Sequence, residues 1–580
     1  MRLASFAVAA AFAPIVLISS VPAVPASAAN APTVDAALAA IAAYAPQAMR
    51  EQGTPGLSVA ITDRTHTLRI ITLGYANRDI QLPVTAETRF AIGSITKSMT
   101  ALAILALRDA GRVDLNAPVQ RYLPWFSIES GGKPILVHQL LSHTAGIPDD
   151  YAAESGYGYD VVALRDSKTL FAPGTSWSYS NDGYATLGAI VARVDERSWP
   201  ESLQARVLDP IGMTNSSAVF TPETMTQAAV GYQFRDNDRP PPLQPELVGS
   251  PAMDFVDPAG SVLSTPEDMA RYMRFYLNGG RTENGKQLVT PASFAAMTQP
   301  DVLNNGKPAG APGVELSEAP AFYREYGYGL SIFDQGGDRL IGHTGGISGY
   351  TACMQMNLTR GFGAIAFANL VEAPLHPCAI VLYAVRVLRA QSLGEPLPAP
   401  PSAPDPARVA RAADYAGTYS GTSGSTLKVV AAGDHLRLID NGKNIALYPR
   451  GAELFWADDP NYARFLLAFG RDGSGRVVEM TYGSQWYPNE RYAGPQTFSH
   501  PPAWNALAGR YENTFFGQPA VTRVVIVKNR LTFDGTDALK PLPNGTFAFG
   551  DSIVRFDAYA GGRPQQIWID GTPFYRVELP

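Results

Sequence analysis

The chain has 580 residues, which at roughly 100–200 residues per domain predicts three or four domains. With 46% hydrophobic and 17% charged residues it carries the apolar material for full cores, which excludes a wholly disordered protein. A formal net charge of -6 argues against a nucleic-acid partner, and two cysteines exclude both a disulfide-dense scaffold and a four-cysteine zinc site. In chain order, residues 1–28 read as a signal peptide. Arg2 gives the positive start, an apolar stretch follows from Leu3, and Ala26-Ser27-Ala28 is a small-residue cleavage site. No later apolar run approaches the length of a membrane span, so no integral membrane segment is expected after processing, and the destination is the periplasm or the medium. In such an oxidising compartment Cys353 and Cys378 could pair, although sequence alone leaves their geometry open.

Residues 31–392 mix helical and strand patterns. Val34–Ala45 predicts a helix, and Gly56–Thr62 with Leu68–Gly74 predicts paired strands turning at Asp63–Thr67. Ser98–Asp109 and Asp182–Val194 read as helices. Thr265–Leu277 reads as a further helix, with Thr265 as cap, Pro266 in the first turn and Asp268 completing a capping box. Tyr350–Met356 and Gly363–Asn369 read as adjacent strands before a closing helix, Pro377–Arg389. Strands at both ends with helices between predict an α+β domain whose antiparallel sheet is flanked by helices. A linker at 393–408 follows, stiffened by six prolines between Pro396 and Pro406. Beyond it, short β-like runs dominate. Tyr415-Ala416-Gly417-Thr418-Tyr419 is echoed by Leu507-Ala508-Gly509-Arg510-Tyr511, and Gly483-Ser484-Gln485-Trp486 by Gly571-Thr572-Pro573-Phe574. The repeat predicts two all-β modules, lipocalin-like or small barrels, at 409–495 and 503–580, with one larger barrel as the competing arrangement.

The sharpest chemical signal is Ser94 three residues before Lys97, at the start of the helix that runs through Leu107. That spacing stacks both side chains on one face, with the hydroxyl near the positive helix end and an amine within reach of its proton. Alone, Ser-x-x-Lys is common, and Ser94 could merely cap a helix. Tyr179-Ser180-Asn181 precedes another helix and supplies a phenol able to shuttle a proton and an amide able to bind a carbonyl or hold Lys97. His343-Thr344-Gly345-Gly346 leads into a strand, where small residues let a substrate backbone lie along the edge. There the Ser94 and Gly346 N–H groups could form an oxyanion hole, and His343 could hold the Tyr179 phenol or a substrate carboxylate. The other histidines lack zinc-ligand spacing, and His143 reads as structural. The aromatic runs Tyr151–Tyr159 and Tyr323–Tyr328 fit either a cleft lining or ordinary loop packing.

Taken together, the three motifs resemble those of the serine β-lactamase and penicillin-binding-protein superfamily. The resemblance is to the branch with class C β-lactamases, D-aminopeptidases and D-alanyl-D-alanine carboxypeptidases, which uses Tyr-x-Asn and often His-Thr-Gly. Leu140–Ile147, Pro210–Met213 and Pro258–Thr265 are similar to further segments of that family. The resemblance implies a β-lactamase/transpeptidase-like catalytic domain acting through an acyl-enzyme, with no metal or cofactor. Ser94 would be the nucleophile, Lys97 and Tyr179 the base and acid, and Asn181, His343, Thr344 and Gly345 would bind substrate. A neutral histidine at 343, where class C enzymes carry lysine, points away from strong β-lactamase or strict carboxypeptidase activity. The expected substrates are amide bonds of D-amino-acid peptides or amides. The alternatives are carboxylic esters, weak β-lactam turnover, or a non-catalytic envelope-binding role. Partners would be small molecules or short peptides, with a homo-oligomer as a further expectation.

Overall fold

The computed structural model describes residues 31–577 apart from 149–155, 237, 252–256, 311–322, 372–376, 403–404, 422–423, 516–517, 551 and 570–571. The expected signal peptide, His376 and the start of the 151–159 run therefore lie outside the described residues. The first region is built from α1 (Val34–Gln52), β1 (Gly56–Asp63), β2 (Thr67–Asn77), α2 (Thr96–Asp109), α3 (Asn181–Asp195), β3 (Tyr232–Phe234), β4 (Leu247–Gly249), α4 (Pro266–Leu277), β5 (Ser331–Gln335), β6 (Asp338–Ile347), β7 (Tyr350–Asn357), β8 (Phe362–Ala368) and α5 (Cys378–Leu393), with shorter pieces between. Among the described residues the main sheet runs Leu82–Pro83, β2, β1, β8, β7, β6, β5, Glu325–Tyr326. Its pairings are antiparallel, and strands from the two ends of this region meet at its centre, where Leu57 to Asp63 of β1 pair with Ala368 to Phe362 of β8.

The central strands are apolar on both faces because both faces are covered. Leu57, Val59 and Ile61 of β1 and Ala364, Ala366 and Ala368 of β8 join α1 and α5 in one core. Ala60, Ile365, Phe367, Met354 and Met356 point the other way, into the core shared with α2, α3 and α4. Cys353 of β7 and Cys378 at the start of α5 are joined by a disulfide, with their Cα atoms 5.1 Å apart, and this ties the closing helix to the sheet. The β1–β2 turn forms where the Asp63 carboxylate accepts the Thr65 and His66 N–H groups at 2.6 and 2.7 Å.

One expected local feature differs. Thr265 caps α4 through Asp268 N–H, and Pro266 sits in its first turn. The Asp268 carboxylate does not close a capping box. It accepts from Asn215 N–H and Ser216 Oγ at 2.7 and 2.9 Å, because burial places these donors from another segment within its reach.

The C-terminal part forms two separate sheets rather than one large barrel. The first has eight strands, from Gly417–Ser420 to Gln485–Pro488, each paired with its neighbour in sequence. The second closes into a barrel from Gly509–Phe515 to Thr572–Val577. The repeat has a shared structural meaning. Tyr419 Oη donates to the Tyr415 carbonyl at 2.7 Å, and Tyr511 Oη to the Leu507 carbonyl at 2.8 Å. Both tyrosines are fully buried, so each copy pins the chain entering its own sheet. Among the described residues, no helix is long and apolar enough to cross a membrane.

Candidate active site

Ser94 lies in a short 3-10 turn, Gly93–Ile95, directly ahead of α2. Gly93 takes φ +51°, a conformation that glycine adopts without strain. α2 is buried from Thr96 to Leu105, so Lys97 enters the interior with its helix and has 0% exposure. Its ammonium donates to Ser94 Oγ at 3.2 Å, Asn181 Oδ1 at 2.5 Å and the Ala259 carbonyl at 3.1 Å. It also stands 4.8 Å from the centre of the Tyr179 ring. The Pro258–Ala259 segment is fixed to α2 by Thr100 Oγ1, which donates to the Pro258 carbonyl at 2.7 Å.

Asn181 is the first residue of α3, whose cap is Ser180. The turn that carries Tyr179 and Asn181 is held by His143. The His143 carbonyl accepts Ser178 N–H at 3.0 Å, Nδ1 accepts Ser180 N–H at 3.1 Å, and the ring lies 4.3 Å from that of Tyr179. His143 adopts φ +61°, an uncommon region for a non-glycine residue. Burial, followed by the nearby Lys97 and His343, holds its pKa well below the usual histidine value, so it is neutral and Nδ1 is free to accept.

The third wall is β6. It pairs with β7 from Leu340 to Ile347, but β5 covers it only from Asp338 to Gly342. Among the described residues no strand pairs with His343 to Ile347 on that side, which leaves an open edge beside Ser94. The close approach depends on glycine. A Cβ on Gly345 would stand 1.9 Å from the Ile92 carbonyl oxygen, and one on Gly93 would stand 2.6 Å from Gly346 N. The Ser94 and Gly346 backbones thus lie on touching segments. His343 is fully buried. Its Nε2 pairs with Tyr326 Oη at 2.9 Å and its Nδ1 with the Thr344 carbonyl. The tautomer with a proton on Nδ1 satisfies both contacts, since burial raises the Tyr326 pKa and keeps that phenol a donor. Burial chiefly, with Lys97 adding, pushes the His343 pKa down to about 3. Thr344 Oγ1 shares a hydrogen bond with Tyr323 Oη at 2.7 Å.

The structure thus brings Ser94, Lys97, Tyr179, Asn181, His343, Thr344, Gly345 and Gly346 into one place. Three contributors carried weak sequence signals. The Ala259 carbonyl is a backbone atom without residue identity. Tyr323 and Tyr326 come from a run equally compatible with plain loop packing. Chemically, the arrangement offers a hydroxyl beside an amine, a phenol ring against that amine, and a backbone edge next to the hydroxyl.

The beta-lactamase family model matches residues 41–381, more than half of the chain. The chain belongs to the beta-lactamase family. Within it, penicillin-binding protein 4 of Amycolatopsis lactamdurans is 28% identical over 387 residues, 65% of this chain and 95% of that protein. Protein flp of Staphylococcus aureus strain N315 is 26% identical over 326 residues, 54% of this chain. The match spans only 60% of protein flp's own length. Among solved structures, the octameric penicillin-binding protein homologue from Pyrococcus abyssi aligns with a TM-score of 0.55 and 25% identity, covering 78% of this chain and 99% of that one. The D-amino acid amidase from Ochrobactrum anthropi SV3 shares the fold at a TM-score of 0.50 and 24% identity, covering 61% and 99%. The beta-lactamase-like region with its two all-β additions is the architecture that the sequence motifs and repeat predict.

Proposed function

We propose that this protein is an exported serine hydrolase that opens amide bonds of D-amino-acid peptides or amides through an acyl-enzyme on Ser94. The observation that carries the reading is the set of oxygens around Lys97. A neutral lysine amine has two N–H groups and one lone pair. Once Lys97 has given up a proton, N–H groups held by Asn181 Oδ1 and the Ala259 carbonyl turn its lone pair toward the Ser94 hydroxyl, 3.2 Å away, so that the bond Lys97 donates as an ammonium reverses. Ser94 Oγ then bonds to the substrate carbonyl carbon, and the oxyanion forms against the Ser94 and Gly346 N–H groups. The tetrahedral intermediate collapses as the C–N bond breaks, and the leaving amine takes a proton delivered through Lys97 and Tyr179. Water attacks the ester, gives its proton to the same pair, and releases the acid and Ser94.

His343 supports the choice of amides. It is neutral and engaged on both ring nitrogens, so it offers no fixed positive charge for a terminal carboxylate. The rings of Trp177, Tyr323 and Tyr326 lie 5.7–6.4 Å from Tyr179 or from one another and favour an apolar substrate side chain. The Cys353–Cys378 disulfide supports export to an oxidising compartment. Self-association is part of the proposal, supported by the Pyrococcus homologue, which is described as octameric. The test is turnover of D-amino-acid amides, peptides ending in D-alanine, a penicillin and p-nitrophenyl esters by the native chain and by Ser94→Ala. Ser94-dependent turnover led by the D-amides is expected. A preference for esters moves the assignment to an ester hydrolase, and equal turnover by Ser94→Ala overturns the site.

A further inference from the structure

We propose that Glu479, Trp486 and Tyr492 of the first C-terminal β unit and Phe498 of the segment leaving it form an ammonium-binding cage, and that its resident ligand is Lys528 of the second unit. Lys528 Nζ lies 5.3 Å from the Trp486 ring centre, 5.3 Å from that of Tyr492 and 4.8 Å from that of Phe498. It donates to Glu479 Oε2 at 2.7 Å. Trp486 meets Tyr492 and Phe498 edge to face, with centroids 5.1 and 5.0 Å apart, so the rings form walls rather than a stack. The same Glu479 oxygen accepts Trp486 Nε1–H at 2.7 Å, which fixes the indole and the carboxylate together. Several aromatic faces and one carboxylate around a mostly desolvated site are the chemistry that recognises an ammonium group.

Other features show that the site is built. Gly470 pairs with Glu479 across the strands, and a Cβ there would stand 2.6 Å from the Glu479 carboxylate. Trp486 is 7% exposed yet lies outside its own unit's core cluster, which its neighbour Tyr487 joins. Its counterpart in the internal repeat, Phe574, packs on the core of the second unit. The repeated aromatic has therefore been turned outward in one copy. Lys528 follows Val527 at the tip of a hairpin in which Val527 pairs with Arg530. It takes φ +59°, where glycine or asparagine is the ordinary residue, so the turn presents a lysine against backbone preference. Close by, a Cβ on Gly535 of the second unit would stand 2.9 Å from Gly483 Cα of the first, so the backbones touch next to the cage. The cation thus keys one unit to the other.

The test uses the full chain. Lys528→Ala empties the cage, and n-propylammonium, which reproduces the lost part of the side chain, is titrated by calorimetry. Saturable binding at least tenfold tighter than to the native chain is expected, and it should vanish in Lys528→Ala/Trp486→Ala. Equal binding by all three proteins, or none by a folded Lys528→Ala, overturns the proposal. Hydrogen exchange on Lys528→Gln is a second reading that needs no added ligand. Amides at 486–498 and 525–531 should exchange at least tenfold faster, with Lys528→Arg restoring protection and residues 90–110 unchanged. Unaltered exchange in Lys528→Gln overturns it equally.

Discussion

Lys97 and Lys528 are both lysines drawn out of water against aromatic rings, yet their oxygen partners differ. Lys97 faces a hydroxyl, an amide oxygen and a backbone carbonyl, whereas Lys528 faces the Glu479 carboxylate. A carboxylate makes a charge-assisted bond that suits a resident cation. Neutral oxygens impose direction without binding the charge in place, which suits a group that must give and take a proton. The same side chain is a fastener in one region and a proton carrier in the proposed mechanism of the other, and the neighbours decide which.

The largest predicted effects break the first half of this contrast. Ser94→Ala should lower acylation by about 10⁶-fold and Lys97→Met by roughly 10³–10⁴-fold, with unchanged circular dichroism. Lys528→Gln sharpens it, because kcat/KM should stay within about twofold of the native chain, as expected for a residue remote from the reacting atoms. Tyr179→Phe should lower kcat by about 10²–10³-fold with little change in KM, the signature of a proton-transfer loss.

A smaller effect concerns acid stability. His343 folds neutral with its pKa down at about 3, whereas the unfolded chain takes up its proton near the ordinary histidine value of 6.5. Its contribution is therefore complete above that ordinary value and is lost as pH falls toward the folded one. The loss is about 1.4 kcal/mol per pH unit. Urea melts at pH 7 and pH 5 should show this loss on top of that from His143, which burial likewise keeps neutral, and His343→Gln should remove the His343 share and leave that of His143. The smallest effect should come from Asp238, in the segment between β3 and β4. It pairs with Arg523 of the second β unit at 3.1 Å, while Tyr232 N–H of β3 donates to the Gly349 carbonyl at the β6–β7 turn. Asp238→Ala should move KM by a few fold and leave kcat nearly constant, in line with a partly exposed ion pair.

Much of this was legible in sequence wherever the information is local. Ser94 and Lys97 lie one helical turn apart, and Tyr179 and Asn181 straddle a helix cap, so spacing alone places each pair. The Tyr419 and Tyr511 repeat marks two β units for the same reason, since each hydroxyl reaches only four residues back. Non-local choices were not legible. The Ala259 carbonyl carries no side-chain signature. Asp268 had a good local partner in its own helix start but found two donors at 215–216. The Lys528 cage depends on how two units meet, which neither repeat encodes by itself.

The most direct test of the central claim is peptide mapping of the acid-quenched enzyme after millisecond mixing with a D-amino-acid amide or a penicillin, in the native chain and in Lys97→Met. The account predicts an acyl adduct on Ser94 that accumulates in the native chain and is nearly absent in Lys97→Met. Turnover without any adduct, an adduct on another residue, or equal acylation in Lys97→Met would contradict it.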